Sequence, residues 1–153
     1  MSDCYFDNSL ERELRENGVY ASVTKGISMR PLFKTNRDMV ILKKPDGELR
    51  KYDVALYKTR AGKYILHRVI KVLPDKYIIR GDNTYTLEYV EKDRILAVLT
   101  EFNRKGKKGT VNDLSYRIYS RVWHFIYPLR FAYIKLRVLA GRVYRSIFKK
   151  KQG

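Results

Sequence analysis

Between Tyr64 and Asn83 the chain reads YILHRVIKVLPDKYIIRGDN, and the fold class turns on this stretch. Tyr64–Val72 carries β-branched and aromatic residues at period two, "LPDK" supplies turn residues, and Lys76–Arg80 resumes the pattern. The stretch predicts two strands joined by a turn. On the first strand, period two puts His67 on the face of Ile65 and Val69, with Leu66, Arg68 and Ile70 opposite. Such a histidine is ordinarily a core residue hydrogen-bonded to backbone. It is also well held for proton transfer, because a strand fixes an imidazole better than a loop does. "RGDN" has two readings: a hairpin turn, in which Gly-Asp-Asn favours positive φ, or a fixed carboxylate, Asp82, for a neighbouring imidazole.

Working outward, the same patterning predicts strands at Val19–Thr24, Met39–Lys43, Val54–Lys58 and Arg94–Phe102, separated by "KPDGE" and "RAGK". Short strands at this spacing argue for a mainly β, compact antiparallel domain. Asn8 with Glu11 forms a capping-box pattern and Gly18 a C-terminal stop, so residues 9–17 read as a short helix. "NRKGKKGTVND" reads as a loop, with Asn112 or Asp113 capping a helix from Leu114 that Pro128 interrupts. The expected organisation is an N-terminal helix (1–18), a β-domain (19–104), a basic linker (105–113) and a helical tail (114–153).

A length of 153 residues suits one domain with appendages. The single cysteine, Cys4, excludes an intramolecular disulfide framework and a cysteine-based zinc site. No metal or cofactor is expected. The opening "MSDCYFDNSLERELREN" lacks the apolar core of a secretory signal, and no run of 18 uncharged apolar residues provides a conventional membrane span. Of the formal net charge of +17, ten units fall from Leu114 onward, where there is no acidic residue. That asymmetry points to a polyanionic partner for the tail.

"TKGISMRPLF", Thr24 to Phe33, sets one serine between a glycine-led turn and a proline. Alone, Ser28 reads as a turn residue. In order, "GISMRPLF", "KYDVALYK", "YILHRVIKV", "YIIRGDNT" and "RILAVL" resemble the signal peptidase family over about residues 19–100. Where the bacterial branch of that family carries a lysine base, this chain has His67, as in the endoplasmic-reticulum and archaeal branch. The resemblance implies a serine endopeptidase that removes a signal, leader or propeptide from a protein substrate. Ser28 would be the nucleophile and an oxyanion donor through its backbone N–H, and His67 the general base and acid. Asp82 would support the imidazole, with Glu88 a second candidate. Gly26 stands where signal peptidase I often has an oxyanion serine, and Met29 beside the nucleophile shapes its turn. A runner-up reading is a non-catalytic membrane- or nucleic-acid-binding module that kept this fold.

In the tail, Leu129, Ala132, Tyr133, Leu136, Leu139, Ala140, Val143 and Ile147 recur at helical spacing. Lys135, Arg142, Arg145 and Lys149 lie opposite, Arg130 and Arg137 flank the boundary, and Trp123 and Phe125 add aromatic surface upstream. Such a helix suits an anionic membrane surface, where each basic residue adds about 1 kcal/mol. Nucleic acid ranks below the membrane, because tracking phosphates makes no use of an aliphatic face. With no export signal, the expected location is the cytoplasmic face of a membrane.

Overall fold

The computed structural model describes residues 9–133 and 136. Helix α1 (Ser9–Asn17) is followed by β1 (Val19–Val23), β2 (Met39–Lys43), β3 (Val54–Lys58), β4 (Tyr64–Val72) and β5 (Lys76–Arg80). Then come β6 (Glu88–Glu91), β7 (Ile95–Arg104), β8 (Lys107–Thr110) and helix α2 (Leu114–Phe125). The strands form one sheet in the order β1-β2-β7-β3-β4-β5-β6, with β8 paired to β7, and every pairing is antiparallel. The molecule is thus mainly β, with a short helix before the sheet and helices after it.

Alternation along the central strands divides the core between the two faces of the sheet. Val54, Leu56 and Leu66 join Leu10 and Leu14 of α1, Met29, Leu32 and Phe33, and Tyr116 of α2. Ala55, Tyr57, Ile65 and Val69 pack with Tyr77, Ile79 and Val90 on the other side. The first six residues of β4 are buried, so this strand is covered on both faces. Pairing shifts at Ile41/Leu42, Leu56/Tyr57 and Val69/Lys71 mark bulges, which bend and twist a sheet locally.

α1 ends where Gly18, at φ 68°, takes the left-handed conformation and donates its N–H to the Leu14 carbonyl. Glu11 reaches outward from α1 and accepts hydrogen bonds from Lys58 Nζ at 2.7 Å and Tyr64 OH at 2.6 Å. Its carboxylate therefore ties the helix to the β3–β4 hairpin.

Two expected boundaries are corrected. The predicted linker is largely a hairpin, because β7 runs on to Arg104 and turns back through Lys105 and Gly106, both at positive φ. The first half of α2 belongs to the body: Tyr116 and Ser120, at helical i, i+4 spacing, are 7% and 2% exposed. The chain divides into two compact units after Ser120 rather than before Leu114. α2 ends at Phe125, and a second helical run starts at 127 with Pro128 in its first turn, where its missing N–H is tolerated. No helix among the described residues is long and apolar enough to cross a membrane.

Candidate active site

Ser28 lies on a single turn after β1, and the turn is held at both ends. At its start, Thr24 donates its N–H to the Asp38 carbonyl at 2.9 Å and its hydroxyl to the Lys34 and Asp38 carbonyls. Asp38 in turn accepts hydrogen bonds from the backbone N–H of Lys34 and of Lys105, and from Arg37. Burial pushes the Asp38 carboxyl up, but the Arg37 and backbone hydrogen bonds outweigh it and hold it below its ordinary value. Met29, Leu32 and Phe33 anchor the middle of the segment in the core. Met29, named with Ser28 and Gly26 in the substrate and oxyanion group, is 1% exposed, so its side chain packs in the core beneath the turn. Gly26 adopts φ 85°, and its carbonyl accepts a hydrogen bond from the Thr35 hydroxyl. The Ser28 side chain is itself buried.

A second loop, "RGDN" after β5, grips this turn. Asn83 donates its N–H to the Ser28 carbonyl at 2.7 Å and its side-chain amide to the Ile27 carbonyl at 3.3 Å. Gly81 lies between the two catalytic candidates. A Cβ there would stand 2.7 Å from the Ser28 carbonyl oxygen and 2.9 Å from His67 Nε2, both closer than real contacts allow. The Ser28 backbone carbonyl and the imidazole thus approach one point on the Gly81 backbone. The glycine is there for close approach: its φ is not among the positive ones, so the positive-φ hairpin reading fails at this position.

His67 is 2% exposed and its two ring nitrogens are treated differently. Nδ1 lies 2.9 Å from Glu88 Oε1 and 3.4 Å from Tyr57 OH, while Tyr57 donates its hydroxyl to Glu88 Oε2 at 2.6 Å. Nε2 is buried and has no hydrogen-bond partner. Burial raises the Glu88 carboxyl, but hydrogen bonds from His67 and Tyr57 and the imidazole's charge bring it below its ordinary value. A carboxylate on Nδ1 fixes the orientation of the ring and leaves Nε2 as the working atom. Glu88 also borders an open recess of about 270 Å³ lined by Tyr57, Arg60, Tyr89 and Arg94.

The carboxylate beside the imidazole is therefore Glu88, and the support role expected of Asp82 is corrected. Strand register gives the reason. Arg68 pairs with Arg80, so the two share a face, and Asp82, two residues on, continues toward Arg68. Arg68 Nε and Nη2 bind the Asp82 carboxylate at 2.7 and 2.8 Å. Val69 pairs with Ile79 and Ile79 with Glu88, which puts Glu88 on the face of His67. The Arg68–Asp82 pair is enclosed by α2: Tyr119 donates to Asp82 at 3.0 Å, and Ser120 accepts from Arg68 at 2.8 Å. Burial would lower the arginine's pKa, but Asp82's charge and hydrogen bonds raise it.

Gly81, Tyr57 and Asp38 escaped the sequence reading. β6, whose four residues EYVE are acidic at both ends and give no clear alternation, was the signal hardest to read. In the tail, Leu129, Tyr133 and Leu136 are exposed. Arg130 stacks over the Trp123 ring at 3.6 Å from the centroid, so these two residues engage each other. Arg137, Leu139 and Val143 lie outside the described residues. The chain matches no protein-family model and no curated protein.

Proposed function

We propose that the protein is a serine endopeptidase of signal-peptidase type that cleaves a signal, leader or propeptide at a membrane surface. The observation that carries this reading is the buried, unpartnered Nε2 of His67, beside Gly81 where the Ser28 backbone carbonyl also lies, with Glu88 on the opposite ring nitrogen. A buried polar atom without a partner costs about 1–3 kcal/mol, and a catalytic base is a physical reason to retain one. In the reaction, Ser28 Oγ attacks the scissile carbonyl carbon while Nε2 takes the hydroxyl proton. The C–N bond breaks as that proton passes to the leaving amine. Water, deprotonated by the same nitrogen, then attacks the acyl-Ser28 carbonyl, and the C–Oγ bond breaks as that proton passes back to Ser28 Oγ.

The decisive experiment labels purified protein with a serine-reactive phosphonate and follows peptide cleavage. Wild-type protein is labelled at Ser28, and Ser28→Ala is neither labelled nor active while its thermal unfolding stays close to wild type. Cleavage retained by Ser28→Ala overturns the mechanism. The burial of Ser28 favours the non-catalytic reading, and complete absence of labelling in folded wild type would select it.

Membrane attachment is supported by the exposure of Leu129, Tyr133 and Leu136 in a segment whose charges are all positive. Leu129→Glu with Leu136→Glu should weaken cosedimentation with anionic vesicles. High salt alone should weaken it less, because screening leaves apolar burial intact.

A further inference from the structure

The first unit contains a cleft away from Ser28 and His67 that the peptidase chemistry does not use. It lies between the β7–β8 hairpin and α2, with a volume of about 380 Å³. Its floor is apolar and rigid: the Phe102 ring packs against Tyr116 at 5.6 Å and Phe33 at 5.7 Å. Gly109 permits this, since a Cβ there would fall 2.6 Å from the Phe102 ring. The rim carries Arg104, Lys105, Lys107 and Lys108, none with an ion-pair partner among the described residues. The acidic group in the lining, Asp113, is occupied by the Thr110 N–H at 2.8 Å and hydroxyl at 3.0 Å. Lys105 holds φ 55°, a conformation that favours Asn or Gly, so the hairpin keeps a cation at its tip against local preference.

On a helix of 3.6 residues per turn, Ser115 and Tyr119, which line the cleft, fall between the buried Tyr116 and Ser120 and an exposed apolar edge. That edge is Leu114 and Ile118, 72% and 53% exposed. A ligand seated here meets a basic rim and then, one step round the helix, an aliphatic surface. A lipid has both parts. Nucleic acid satisfies the charges but leaves the aliphatic edge in water.

We infer that this cleft binds the phosphate headgroup of an anionic lipid, preferring a phosphomonoester because its second negative charge gains from a rim of Arg104, Lys105, Lys107 and Lys108 without ion-pair partners among the described residues. The inference deepens the membrane part of the proposed function and is independent of the Ser28 chemistry. It predicts recognition of a headgroup, where the tail supplies attraction to negative charge in general.

The test is cosedimentation of the full chain with phosphatidylcholine vesicles containing phosphatidate or phosphatidylserine, matched for surface charge. Wild type should favour phosphatidate by about tenfold. Lys107→Ala with Lys108→Ala, both exposed, should reduce that ratio to near one while thermal unfolding and phosphonate labelling stay unchanged. Equal binding of wild type to both vesicles, or a ratio that survives the double substitution, overturns the headgroup site. Displacement by soluble glycerol phosphate at the affinity seen on vesicles assigns the cleft to free phosphate and overturns the lipid assignment. Failure to bind either vesicle removes the membrane reading itself, and loss of labelling alone bears only on the peptidase.

Discussion

His67 and Arg68 are neighbours on β4, each faces a carboxylate in the interior, and the two pairs are built to opposite ends. Arg68 and Asp82 are 2% and 3% exposed at their side chains, and the bidentate bond between them is supplemented by Tyr119, Ser120 and the Tyr52 carbonyl. On the other face, His67 leaves Nε2 without a partner, and Glu88 keeps 30% of its side chain in contact with solvent. A closed pair resists change of charge. An open one, with a fixed ring and one available nitrogen, is suited to transferring protons. One strand thus carries a structural ion pair on one side and the candidate catalytic pair on the other.

The largest expected effect lies on the open side. Glu88→Gln keeps the size of the side chain but removes the charge that supports an imidazolium, and should lower kcat by up to about 10⁴-fold. A drop of less than about tenfold, in a peptide-cleavage assay at saturating substrate, would assign Glu88 to structure alone. Stability should move far less than activity, which denaturant unfolding of the same variant would check.

Next comes the closed side, where the effect should be on folding. Arg68→Met leaves the buried Asp82 carboxylate without its cation, at a cost of about 3–5 kcal/mol. Arg68→Met combined with Asp82→Leu should recover most of that loss, since the stranded charge is gone. Urea midpoints of the singles and the double decide it. A double variant as unstable as the sum of the singles would mean that the pair has no special coupling, and the contrast with His67–Glu88 would collapse.

The smallest effect is the response to acid. The folded Glu88 carboxyl titrates below its unfolded value of about 4.3, so its contribution to stability is complete above that pH. The contribution is lost as pH falls through the folded value. Wild type should therefore lose stability more steeply than Glu88→Gln below about pH 4.3, as thermal unfolding between pH 3 and 6 would show. Parallel curves would mean that the His67–Glu88 contact contributes nothing to linkage.

Much of the fold is local in origin and could be read directly. α1 and strands β2 to β5 occupy the residues their patterns predict, because period-two burial and the turns "PDG", "AG" and "PD" act over a few residues. β8 and β6 could not be read this way, since a lysine-rich hairpin and an acidic-ended tetrapeptide gain their strand character from the neighbour they pair with.

The same division holds at the site. Sequence determined that Ser28 sits on a tight turn and that His67 faces Ile65 and Val69, because turn chemistry and strand parity travel with the chain. Tertiary structure decided which carboxylate serves the histidine. Asp82 is nearer in sequence but lies on the Arg68 face, and Glu88 reaches His67 only through two successive strand registers, Val69 with Ile79 and Ile79 with Glu88. A shift of one residue in either register would move it to the other face of the sheet. Gly81 belongs to the same category, since its need for a missing side chain comes from the Ser28 backbone carbonyl and the His67 ring meeting there from distant parts of the chain.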